Sequence, residues 1–226
     1  MLGRNPPPSY EAQLLTRFAE VGIDGKRRWV TLPAELQAIW QAAWPALHKG
    51  LAAPPEDAEQ TSNGWHYSSA RAGNFGTDYG LRARIALRGL LALESVEACY
   101  AGTAVDEGGQ PLSGAHRYRL RLAPGNLPVN AFWSLSMYAR EPDGRSYFVA
   151  NPIERYAIGD RTAGLIMGDD GTIDIWIQQD APLEPARRAN WLPAPAGAFR
   201  VTLRAYEPRA EFRDGRVRLP ALERQD

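Results

Sequence analysis

The chain has 226 residues, enough for one β sandwich or barrel with appended helices. Its 26 basic residues are balanced by 26 acidic ones, so no overall field favours nucleic acid or an anionic membrane surface, and neither is expected as a partner. A single cysteine, Cys99, excludes an intrachain disulfide and a paired-cysteine zinc site.

No stretch reaches the roughly 20 apolar residues of a membrane span, and residues 1–10 lack the apolar core of a secretory signal. The expected compartment is the cytoplasm for the chain as written, and the periplasm or exterior if the true start lies upstream.

In chain order, Asn5 and the three prolines that follow predict a stiff extended entry, with Ser9 capping a helix that carries Leu14, Leu15, Phe18 and Val21 at helical spacing and stops at Gly22. A second helix is expected over 33–48, with Pro33 in its first turn and Leu36, Ile39, Trp40, Ala43, Trp44 and Leu47 on one broad face. Residues 52–64 have no periodicity and read as a surface connection. Asp78 predicts the cap of a third helix over 79–93 with an apolar row of Leu81, Ile85 and Leu93.

Beyond Cys99 the period changes to two. Residues 116–122 alternate Arg117, Arg119 and Arg121 with Tyr118, Leu120 and Leu122, a strand with one wet face. Residues 131–138 place Trp133, Leu135 and Met137 on one side and Phe132, Ser134, Ser136 and Tyr138 on the other. A turn at 142–144 and a returning strand over 146–150 make a hairpin. Residues 171–178 point Ile173, Ile175 and Ile177 inward, and residues 198–206 set Phe199, Val201, Leu203 and Ala205 against Arg200, Thr202, Arg204 and Tyr206. The expected fold is mainly β, an antiparallel sandwich or jelly roll over 74–226 behind a helical lead-in and linker over 1–73.

Three runs carry a resemblance: 130–138; Asn151, Pro152, Ile153, Glu154, Arg155, Tyr156, Ala157, Ile158, Gly159, Asp160, Arg161, Thr162; and Asn190, Trp191, Leu192, Pro193, Ala194, Pro195. With 199–208, Asp214, Gly215 and Pro220, and with 74–89 upstream, the chain resembles the domain of unknown function 1214 family. The resemblance implies a β-rich fold with a jelly-roll-like sandwich, and implies no activity. Members commonly carry a second uncharacterised domain, number 1254, upstream; the expectation is that this chain lacks it, and residues 1–23 resemble the linker that joins the two. A separate upstream-type domain or a second copy of the chain is therefore an expected partner.

The 151–161 segment concentrates Asn151, Glu154, Arg155, Tyr156, Asp160 and Arg161, a set able either to present guanidinium forks to a polar or anionic ligand or to brace its own loop. Asn190 and Trp191 either stand at a pocket mouth, where an indole stacks on a sugar, or anchor a proline-rigid loop. The ligand-binding candidates are thus Asn151, Arg155, Tyr156, Asp160, Arg161, Asn190 and Trp191.

Ser134 and Ser136 lie mid-strand outside any nucleophile elbow, and His48, His66 and His116 fall outside the three runs, so a serine triad is not expected. No histidine spacing or calcium loop predicts a metal, and no nucleotide or cofactor fingerprint occurs. The leading expectation is a binding or assembly module for a polar small molecule, a glycan or a partner subunit. The alternative is a hydrolase using Asp160 or Glu154 as acid or base on a substrate held by Arg155 and Arg161, and a glycosidase-type pair of carboxylates would be Glu154 with Asp160 or Asp174.

Overall fold

The computed structural model describes residues 8–52, 61–124, 127–142 and 144–226. The prolines before Pro8, residues 53–60 of the expected connection and Asp143 of the expected turn lie outside the described residues. The chain forms two compact units, Met1–Ala53 and Pro54–Asp226.

The first unit is helical, with α1 (Ala12–Glu20) and α2 (Ala34–Ala52). Ser9 does not cap α1. It opens a single 3-10 turn, and Glu11 holds the cap position without a side-chain bond. The second helix continues past His48 to Ala52, passing through Pro45, which removes one backbone donor from the helix interior. Neither helix buries a residue fully. The Trp40 indole N–H donates to the Val21 carbonyl at 2.9 Å. A groove of about 610 Å3 opens among Val21, Trp29, Leu32, Trp40 and Trp44.

The second unit is mainly β. It runs β1 (Thr61–Ser62), β2 (Trp65–Tyr67), α3 (Tyr79–Gly89), β3 (Ala98–Thr103), β4 (Tyr118–Leu122), β5 (Val129–Arg140), β6 (Ser146–Tyr147), β7 (Ala157–Gly159), β8 (Ile173–Gln178), α4 (Pro185–Ala189), β9 (Trp191–Pro193), β10 (Phe199–Pro208), α5 (Ala210–Arg213) and β11 (Glu223–Arg224). One sheet has the order β1-β2-β3-β10-β5-β6, with β7 also on β5, and the other β11-β4-β8-β9. Every pair is antiparallel except β8 with β9.

Alternation fixes which face of each strand is inside. Trp133, Leu135, Val201 and Leu203 from the larger sheet join Leu120, Ile175, Ile177 and Leu192 from the smaller in one buried cluster. The opposite faces carry charged and hydroxyl side chains with aromatic rings among them. On the smaller sheet Arg119 pairs with Glu223, and Arg121 with Asp174 at 2.7 Å.

Three elements of this second unit differ from expectation. The third helix ends at Gly89 rather than 93, because Leu90 takes a left-handed φ of 65° that no continuing helix permits. Its start is as expected: the Asp78 carboxylate accepts from the Leu81 amide at 2.9 Å, and that bond, reinforced by the Arg71 guanidinium, holds the carboxyl below its ordinary range. The returning hairpin strand is only Ser146–Tyr147. Finally, β1 and β2 lie in residues assigned to the lead-in, yet β2 pairs with β3 and Trp65 is wholly buried, its indole donating to the Pro220 carbonyl at 2.7 Å. Among the described residues, no helix is long and apolar enough to cross a membrane.

Candidate functional site

The segment between β6 and β7 is shaped by Asn151. Its Oδ1 accepts from the Arg155 amide at 2.9 Å, and its Nδ2 donates to the Arg155 carbonyl at 3.1 Å. Within this turn Glu154 adopts a φ of 51°. The side-chain bridge braces a backbone turn that the Glu154 amide closes on the Asn151 carbonyl at 3.1 Å. Its effect is to aim Arg155 across to the segment that enters β9.

There the Arg155 Nη1 donates to two carbonyls, Ala189 at 2.9 Å and Trp191 at 2.8 Å. Asn190, between them, is 4 % exposed. Its Oδ1 accepts from the Ile166 amide at 2.8 Å, and its Nδ2 donates to the carbonyls of Ile166 at 2.7 Å and Asp174 at 3.0 Å. The Trp191 ring is buried, with its N–H donated to the Gln178 carbonyl at 2.9 Å. The two runs therefore meet, and they meet through a backbone clasp. Trp191 is the loop's buried anchor.

What remains between the runs is a crevice lined by Met137, Asn151, Arg155, Tyr156, Pro193 and Pro195, of about 20 Å3. That is room for about one water, whereas small-molecule pockets run to several hundred Å3. The ring of Tyr156, one of the crevice's lining residues, lies 5.4 Å from that of Phe148, which stacks on Tyr138 at 4.8 Å. Phe148 is 55 % exposed.

Asp160 and Arg161 lie elsewhere. The Asp160 Oδ1 accepts from the Trp133 amide at 3.1 Å. Arg161 sits over the Phe132 ring at 4.1 Å, and Phe132 stacks on Tyr206 at 4.4 Å. Phe132 and Met137 are five positions apart on β5, roughly 17 Å at 3.3 Å per residue. The candidate set thus divides between the two ends of β5. Glu154 is exposed, and Asp174 is held in a two-point ion pair by Arg121, so the carboxylates named for acid-base chemistry sit in separate settings.

One arrangement goes unremarked in the sequence. On the outward face of β5 and β10, Arg204 donates through Nη1 to the Ser136 Oγ at 2.9 Å and through Nη2 to the Tyr138 Oη at 2.8 Å. The signal was the period-two pattern, which puts Ser136, Tyr138 and Arg204 on outward rows; only the register, with Arg204 opposite Ser134, brings those rows together. Cys99 is partly buried and its thiol is pushed up by desolvation, which makes it a poor nucleophile.

The fold and the clasped runs define a β-rich domain whose family is then identified directly. The chain belongs to the family described as Protein of unknown function (DUF1214), whose sequence profile matches residues 97–210. Among solved structures it is similar to the VPA0106 protein from Vibrio parahaemolyticus, with a TM-score of 0.64 and 22 % identity over 96 % of this chain and 51 % of that one. An uncharacterised protein from Burkholderia cenocepacia aligns at a TM-score of 0.40 and 13 % identity, over 96 % of this chain and 49 % of that one. The chain thus spans about half the length of the solved structures it matches. No curated protein matches it.

Proposed function

We propose that the larger unit is a jelly-roll-like sandwich serving as a binding module that meets an extended ligand, a glycan, on its surface. The observation that carries this reading is the crevice of about 20 Å3 where the two runs meet, with the Asn151 amide and the Arg155 Nη1 already committed to backbone, beside the ladder of Tyr138, Phe148 and Tyr156. Aromatic faces of this kind stack on the C–H faces of sugars, and hydroxyls beside them supply orientation. A printed glycan array with the wild-type protein and Phe148→Ala tests it. Wild-type labelling that the variant loses supports the reading. Labelling retained by the variant, or none by the wild type, sinks it.

A second reading, assembly with a partner polypeptide, is supported by a different observation. The helical unit leaves Trp29, Trp44, Ile39 and Leu47 about half exposed or more and carries the apolar groove of about 610 Å3. Surfaces of that size and character mark interaction sites. Light scattering across a concentration series, and co-purification from the native host, would show a dimer or a bound chain that Trp44→Glu releases. A monomer alone in both experiments would remove this reading.

A further inference from the structure

We propose that the outward face of β5 and β10 binds a glycan that carries carboxylate groups, with Arg204 receiving the carboxylate. This rests on the surface-binding reading above and narrows it to a ligand class and a reading residue.

The contrast between the two sheets carries the argument. On the smaller sheet the strand arginines Arg119 and Arg121 face the carboxylates of Glu223 and Asp174. On the larger sheet Arg204 is half-buried, and its two hydrogen-bond partners are neutral hydroxyls, those of Ser136 and Tyr138. Among the described residues no carboxylate lies within ion-pair distance of it. A guanidinium has five N–H donors in a planar fork, so two spent on hydroxyls leave the group oriented and still able to receive a carboxylate at two points. Ser136, only 5 % exposed, and Tyr138 hold it in place.

The rest of the face suits a polymer. Phe132, Ser134, Ser136 and Tyr138 on β5 stand opposite Tyr206, Arg204, Thr202 and Arg200 on β10, rows with aromatic rings and hydroxyls and no aliphatic side chain or acid. The Phe132 and Tyr206 stack, with Arg161 over the Phe132 ring, lies at one end and the Tyr138 and Phe148 stack at the other, six positions apart, roughly 20 Å along the strand. Two stacking platforms with a cation between them fit a chain of several sugar rings. Single-stranded nucleic acid also stacks on such platforms, but the chain's net charge of zero supplies none of the field that nucleic-acid binders rely on.

The test is affinity electrophoresis of the full chain in native gels containing polygalacturonate, alginate or hyaluronate, with dextran and poly(dT) as the other arms. Wild-type protein should be retarded by at least one acidic polymer and by neither dextran nor poly(dT). Arg204→Gln should weaken that retardation about tenfold or more, as expected for a lost charge-assisted pair, and Arg204→Lys should restore little of it because the fork is gone. Thermal melts establish that each variant is folded. If Arg204→Gln does not fold, Phe148→Ala decides, since its ring is largely exposed: lost retardation supports the site and unchanged retardation overturns it. Equal retardation by dextran, abolished in Phe148→Ala and untouched in Arg204→Gln, would keep the surface-binding reading and overturn this one. Tighter binding to poly(dT), or no retardation by any acidic polymer, also overturns it.

Discussion

The Nη1 of Arg155 lies 2.8 Å from the carbonyl oxygen of Trp191, and the same nitrogen reaches the Ala189 carbonyl at 2.9 Å. A cation spent on two main-chain acceptors is a tie between chain segments. Arg155→Ala should therefore destabilise the β unit by about 2–3 kcal/mol, a fall in Tm of about 4–12 °C for a chain of this size. Denaturant melts check it. A variant as stable as wild type that loses only ligand binding would return Arg155 to the role of a ligand fork.

Asn190 offers a sharper substitution, because its two ends are chemically distinct. Asn190→Ala leaves the Ile166 amide and two carbonyls without partners in a buried place, costing on the order of 2–4 kcal/mol. Asn190→Asp keeps the acceptor for Ile166 but turns a carboxylate oxygen toward the carbonyls of Ile166 and Asp174. The folded state then favours the protonated acid and raises its pKa above the unfolded value. A raised folded pKa makes stability greatest below the unfolded carboxylate pKa, about 3.9, and lost as pH rises through the folded value. The Asp variant should thus have a smaller stability deficit relative to wild type at pH 4 than at pH 7. A deficit independent of pH would refute the assigned orientation of the amide.

How far the sequence could be read follows from strand length and from the nature of the partners. The strands β4, β5, β8 and β10 each alternate apolar and polar over five or more residues, and that period is legible without a structure. The strands β1, β2, β7 and β9 have two or three residues each, too few to show a period, and only pairing with a neighbour reveals them. At the candidate site the residue types were legible and their roles were not. Arg155 reads as a fork for an anion because composition shows its charge, while its partners are backbone carbonyls, which every sequence has. Asp160 reads as an acid for the same reason, and its partner is the Trp133 amide. Arg204 stood in plain view as one of an outward row, and only the register with β5 places hydroxyls at its two nitrogens.

Gly159 is a position that the run 151–161 contains without advertising its purpose. It pairs with Ser134, and an added methyl would run into the Trp133 carbonyl oxygen, which is backbone of the central strand and cannot swing aside. Gly159→Ala should cost about 1–3 kcal/mol as overpacking against β5. Gly197→Ala is the control, since nothing lies within 4 Å of its added methyl, and it should stay within about 0.5 kcal/mol of wild type. Paired urea melts measure both. Equal stability of the two variants would mean that β7 can lift off β5 without penalty.

The last prediction concerns pH and the closing strand β11. The Asp226 carboxylate accepts from the Arg117 amide at 3.1 Å and lies 2.8 Å from His116 Nδ1, a nitrogen that Arg224 Nη2 also approaches at 2.6 Å. The Arg117 bond first, then His116 and the Arg224 charge, lower its pKa to about 2. An unfolded aspartate titrates near 3.9. Because the folded value is the lower one, the unfolded chain takes up the proton first. The contribution is therefore present above about pH 4 and lost as pH falls toward 2. Following the Asp226 carboxyl carbon by NMR should give a midpoint near 2, with exchange protection of the Arg117 amide falling over the same range. Asp226→Asn should abolish that pH dependence and leave the Arg117 amide with a neutral acceptor. A midpoint near 3.9 would mean that the carboxylate is not engaged in solution, and that β11 is held to β4 by its Glu223 and Arg119 pair and its main-chain bonds alone.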